Sequence, residues 1–227
     1  MKKSAIGLVL LSAGVFLAGG TTNAASTAIL PGGETPLEGV GGILDQLYGI
    51  GNLARVDDNF DQIWSPASGT ATATAKFAAF TQDFGYIPQN NDGVFNRADF
   101  VHLFYVPGGT DGINLPATTA TLTSGHVNFL WALDPSGAPL WTSRPSQNRD
   151  SLDHMVTWQI LGNEGNPDNN IGAFVIAWED LRGGGDRDFN DLIVEVDIAS
   201  APIPASVWLF GSGLLGLGGI ARRKKAA

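Results

Sequence analysis

The clearest alternation along the chain lies at residues 154–161, HMVTWQIL, where Met155, Thr157 and Gln159 fall on one side of an extended chain and Val156, Trp158 and Ile160 on the other. That period of two predicts a strand. Residues 192–198 alternate apolar with acidic positions and predict a second. Residues 171–178, rich in branched and aromatic side chains, predict a third. Residues 99–106 (DFVHLFYV) predict a buried strand, and residues 126–133 another, ended by the turn Asp134-Pro135-Ser136-Gly137. Leu140 and Trp141 begin a short return strand. Residues 70–80 alternate Thr with Ala before turning aromatic, which suits a strand. Residues 89–92, 107–116, 143–150 and 162–170 read as turns and polar loops. Between the two ends of the chain, helical pattern is confined to a turn or two at 43–48. Six to nine short strands with turn signals predict an all-β fold, a jelly-roll-like β-sandwich.

The connection between the strands at 171–178 and 192–198 carries five carboxylates, Glu179, Asp180, Asp186, Asp188 and Asp191, together with Asn190. So many anions in one loop repel each other unless a cation neutralises them. Calcium takes six to eight oxygen ligands from carboxylates, amides and carbonyls. Asp186, Asp188 and Asn190 stand at alternate positions, a spacing that aims side chains of a curling loop at one centre, and Gly183, Gly184 and Gly185 permit the positive φ of a tight curl. An EF-hand does not fit. With Asp186 first, its sixth position holds Asp191 rather than glycine, and a strand follows rather than a helix. The expected metal ligands are therefore Glu179, Asp180, Asp186, Asp188, Asn190 and Asp191, holding Ca2+. The competing reading is an acidic surface turn neutralised by Arg182 and Arg187.

Both ends of the chain carry processing signals. Residues 1–25 read as a signal peptide, with Lys2 and Lys3 ahead of an apolar run at 5–18. Either Thr22-Asn23-Ala24 or Asn23-Ala24-Ala25 supplies the small residue before the cut. Residues 26–42, rich in Gly, Pro and Thr, read as a linker, and residues 43–198 as the folded domain. Within 199–227 a Pro-containing break precedes an uncharged apolar run at 205–221 and then four basic residues. That run is near the lower limit for a transmembrane helix, and its basic end favours the cytoplasmic side.

Charge narrows the functions. All 22 acidic residues but only seven of the 13 basic ones lie between residues 34 and 197, a net charge of −15 for that span. Such a domain has no footprint for nucleic acid and suits a calcium-rich exterior. Without cysteine there are no disulfides or thiolate metal sites, and three scattered histidines argue against zinc. Asp57, Asp58 and Asp61 read as a solvated turn, and Glu164 and Asp168 as secondary candidates for oxygen ligands. His154 opens a strand and reads as structural. Glu179 and Asp180 resemble a glycosidase pair, but neighbours on a strand point to opposite faces. No nucleophile elbow, P-loop or zincin motif is present. The reading is therefore non-catalytic.

Two resemblances add to this. The stretch EDLRGGGDRDFND (179–191), with NFLWAL (128–133) and HMVTW (154–158), resembles the signature of a domain-of-unknown-function family in exported bacterial proteins. The resemblance spans about residues 43–198 and implies an all-β exported domain with a suspected calcium site. The tail, through Pro202, Pro204, Ala205, Trp208, Gly211, Gly213, Arg222 and Arg223, resembles the VPLPA variant of the PEP-CTERM sorting signal, with Ile203 where the main form has glutamate. It implies a Gram-negative host, an exosortase-type membrane protease as partner, an inner-membrane intermediate held by the C-terminal helix, and release to the cell surface or extracellular matrix. The expected function is that of a calcium-stabilised surface or matrix protein associated with exopolysaccharide or biofilm, touching sugar through an exposed aromatic such as Trp141. The alternatives are a secreted calcium-dependent, carbohydrate-active hydrolase and a lectin-like module.

Overall fold

A computed structural model describes residues 26–198 apart from 33–34, 66–67, 92 and 126. The signal peptide and the sorting segment, with Pro202, Pro204, Ala205, Trp208, Gly211, Gly213, Arg222 and Arg223, lie outside the described residues. Among the described residues no helix is long and apolar enough to cross a membrane.

Among the described residues the fold is mostly β, with one short α-helix, α1 (Ile43–Tyr48). The strands are β1 (Leu53–Arg55), β2 (Ser68–Lys76), β3 (Gln82–Pro88), β4 (Val101–Val106), β5 (Gly112–Thr123), β6 (Phe129–Pro135), β7 (Trp141–Thr142), β8 (Met155–Ile160), β9 (Phe174–Trp178) and β10 (Leu192–Ile198). They form two antiparallel sheets, of order β1-β8-β9-β10-β2-β5 and β4-β3-β6-β7. Two antiparallel sheets with almost no helix agree with the β-sandwich expected from the sequence, and β8–β9–β10 run as a meander within the larger sheet. β10 pairs with β2, far back in the chain, so it lies inside the larger sheet between β9 and β2.

The sheets face each other across one core. Phe84 of β3 stacks on Trp131 of β6 at 5.2 Å between ring centres and meets Trp178 of β9 edge-on at 6.4 Å. Ile176, Leu192 and Val194 of the larger sheet join the same cluster. A second cluster covers the outer face of that sheet, where Leu37, Ile43, Leu44 and Tyr48 pack against Val156, Trp158, Val175 and Ile193. β9 is thus buried on both faces, which explains its unbroken apolar run. Each of these covering side chains contributes about 1.5–3 kcal/mol by leaving water.

The stretch at 26–42 is therefore no free linker. Leu37 is buried, and Leu30 N–H donates to Arg187 O at 2.9 Å. Three further expectations are corrected. β4 is an edge strand, half exposed, not buried throughout. β3 and β5 arise where the sequence pattern signalled no strand. Asp58 and Asp61 are buried rather than solvated.

Candidate metal centre

The hinge between β9 and β10 leaves the sheet at Trp178 and returns at Leu192. Backbone conformation turns Asp188, Phe189 and Asn190 inward and leaves Asp186 exposed at the rim. Gly183, Gly184 and Gly185 have φ of +80°, +79° and +44°, and Arg187 and Phe189 follow at +61° and +53°. Left-handed residues at 185, 187 and 189 alternate with Asp186, Asp188 and Asn190, which gives the D-x-D-x-N spacing its curl. Phe189 tolerates this because its ring is buried in the second cluster.

The curl and the strand end together build two overlapping carboxylate triads. Glu179, Asp186 and Asp188 bring one oxygen each within 4.8 Å of one another, and so do Glu179, Asp180 and Asp191. Glu179 belongs to both. Asn190 joins through Asp188, its N–H donating to Asp188 Oδ1 at 3.2 Å and its amide to Oδ2 at 2.7 Å. All six expected residues are thus gathered at one hinge. The expectation that Glu179 and Asp180 face opposite ways is corrected, because both lie beyond the end of β9, where the strand alternation has ceased.

The surroundings hold these oxygens in place. Glu179 accepts from the N–H groups of Leu181 and Arg187, at 3.1 and 3.0 Å. Asp191 accepts from Asp180 N–H at 2.7 Å, and the amide of buried Gln82 donates to Asp180. Trp141 Nε1 donates to Asp180 O at 2.7 Å, and His154, stacked on Trp141 at 3.8 Å, reaches Glu179 O at 2.8 Å. Two glycines permit close approach. A Cβ at Gly185 would lie 2.2 Å from Glu179 Oε1, and one at Gly32 would lie 2.1 Å from Asp188 Oδ2. A half-open cleft of about 240 Å³, lined in part by Phe77, Phe80, Asp180, Asp186 and Asp191, leads to the carboxylates.

Electrostatically the hinge is short of positive charge. Among the described residues neither Arg182 nor Arg187 forms an ion pair, so the reading of a turn neutralised by arginine is corrected. The nearby cation is Lys76, fully buried on β2, whose ammonium donates to Ala78 O, lies 3.8 Å from Asp111 Oδ1, and feels Asp180 and Asp191 after Asp111. Burial lowers its pKa. Burial also raises Glu179 to about 7, and raises Asp191, with help from Asp180 and Glu179, to about 9. Asp180 is raised by burial as well. Asp150 goes the other way. Burial pushes it up, but the N–H groups of Gly183 and Leu152 and the ring of His154 outweigh that and lower it.

A set of carboxylate and amide oxygens with a deficit of cations fits a hard divalent ion of the calcium type. Glu179, Asp180, Asp186, Asp188, Asn190 and Asp191 are the residues that would hold it. Several expected participants fall elsewhere. Glu164 and Asp168 lie in the loop before β9, at the opposite end of that strand. Trp141 is buried and offers no surface to a sugar. Lys76 and Gln82 were missed, because what brings them to the hinge is the pairing of β2 with β10 and the facing of the two sheets.

No curated protein and no solved structure matches the chain. A family model described as a domain of unknown function (DUF4114) matches residues 114–199, which take in β6 to β10 and the whole acidic hinge, and this fits the expected bacterial domain of unknown function.

Proposed function

We propose that this is a non-catalytic exported protein of the cell surface or extracellular matrix, built on a β-sandwich that calcium stabilises at the β9–β10 hinge. The observation that carries the reading is the pair of carboxylate triads sharing Glu179, with no arginine ion-paired among them in the described residues. The sequence supports export: the apolar leader at 1–25, and the PEP-CTERM-like tail that an exosortase-type membrane protease would read. Exopolysaccharide is the proposed matrix partner, with contact assigned to Tyr105, an exposed ring on edge strand β4 beside His102 at 4.1 Å. The reading of a calcium-dependent hydrolase is disfavoured by the full burial of Glu179, which a polymer cannot reach.

One experiment tests this. The full chain is expressed in a Gram-negative host with an exosortase system, the surface and matrix fractions are collected, and calcium binding is measured by calorimetry. Wild type is recovered there and binds calcium, while Asp188→Ala is exported equally and loses at least tenfold in affinity. Retention in the cytoplasm, or equal affinity in the variant, contradicts the proposal.

A further inference from the structure

A second group of carboxylates lies where the described chain begins. The backbone N–H of Thr27 donates to Asp58 Oδ2, and its hydroxyl donates to Asp153 Oδ2 at 3.0 Å. Ser26 and Thr27 line one cavity, of about 340 Å³, together with Asp58, Gln62 and Asp153. Asp61, 1% exposed, does not line the cavity but stands close enough to feel both Asp153 and Asp58, with the Thr157 hydroxyl beside it. Arg55 is the cation here, with Nη2 2.8 Å from Asp58 Oδ1. Three carboxylates thus share one guanidinium. Burial and the neighbouring Asp58 raise Asp153 to about 7, and burial and Asp153 raise Asp61 as well. The three do not converge as metal ligands do, since the triads found among the described residues are both in the hinge. The group suits a cation with N–H donors that arrives along the chain itself.

We propose that Ser26 is the amino terminus of the exported protein and that its α-ammonium docks on Asp58 and Asp153. This rests on the reading that residues 1–25 are a leader removed on export. Hydrolysis of the Ala25–Ser26 bond consumes one water and leaves a carboxylate on Ala25 and an amine on Ser26. The ordinary α-amine pKa is near 8, so the new group is protonated at neutral pH. Before the cut the same nitrogen is a neutral amide. Processing therefore creates the missing positive charge one residue from the carboxylate that Thr27 already holds. The segment at 26–32 also reaches the metal centre, where Leu30 is bonded to Arg187 and Gly32 lies against Asp188, so docking the terminus braces one wall of the hinge.

The test uses the full chain, exported and recovered. Mass spectrometry of the product gives its first residue, and thermal unfolding compares it with a chain carrying Gly-Gly inserted between Ala25 and Ser26, each with and without Asp58→Asn. The product starts at Ser26, and the insertion lowers Tm by about 5 °C. In the Asp58→Asn background the insertion changes Tm by about 1 °C or less. A second measurement needs only wild type: reductive methylation of the α-amine is at least tenfold slower in the folded protein than after unfolding. A chain that is never cut contradicts the export reading and this proposal together. A start at any other residue overturns the assignment of Ser26. A start at Ser26 with equal Tm values and rapid methylation overturns the docking alone and leaves export standing.

Discussion

At the scale of single residues the hinge depends on where side chains are lacking as much as on where carboxylates stand. Gly185 combines φ of +44° with a Cβ position 2.2 Å from Glu179 Oε1. Gly185→Ala therefore strains the turn and displaces the carboxylate shared by both triads. The expected outcome is a loss of about 2 kcal/mol in chemical unfolding, together with calcium affinity at least tenfold weaker. Unchanged affinity would place the ion away from Glu179. The gathering of the five carboxylates and Asn190 was legible in the sequence, because all six stand on one strand-to-strand connection beside a glycine run that lets it curl. The positive φ of Arg187 and Phe189 was not legible, since both residue types ordinarily avoid it. Nor was Lys76, whose approach to Asp180 and Asp191 depends on a strand pairing with no local trace.

At the scale of elements, β8, β9 and β10 were legible for a shared reason. Their alternation or unbroken apolar run reflects burial on one face or both. β3 escaped notice because Gln82, Asp83 and Gly85 interrupt its apolar residues. Gly85 is needed where a Cβ would meet Val101 O at 2.0 Å. β5 has little local signal because it is an edge strand that begins at Gly112, directly after the glycine turn at 108–109. The hinge gives a pH dependence that follows from its burial. Glu179 at about 7 and Asp191 at about 9 stand above their ordinary values of 4.5 and 3.8. Between those limits the folded state keeps protons that the unfolded chain has released, so stability falls as pH rises. Asp153, at about 7, acts in the same direction. Asp150, lowered instead, withdraws stability only in acid, as pH falls through its folded value. In EDTA the midpoint of thermal unfolding should therefore fall steadily from pH 5 to pH 9. Calcium should raise it more at pH 8 than at pH 5, because protons and metal compete for the same oxygens. A midpoint in EDTA that rises with pH would contradict the burial of these groups.

At the scale of the molecule, the net charge of −15 between residues 34 and 197 is unevenly placed. One concentration lies at the β9–β10 hinge and another around Asp58, Asp61 and Asp153, and the segment at 26–32 touches both. The all-β character was legible from short strands and turns. The strand order was not, since it depends on pairings such as β10 with β2 that join distant parts of the chain. The central claim is that calcium binds the folded hinge. It is tested most directly by thermal unfolding of the exported protein at pH 7.5, in EDTA and in calcium at a hundredfold excess over Kd. A ligand held by the folded state alone stabilises by about 2.7 kcal/mol at that excess, and for a domain of this size the midpoint should rise by roughly 5–10 °C. Asp186→Ala should remove most of the rise. An equal midpoint in EDTA and in calcium would contradict the account and leave the two triads as a buried acidic hinge balanced by protons and Lys76.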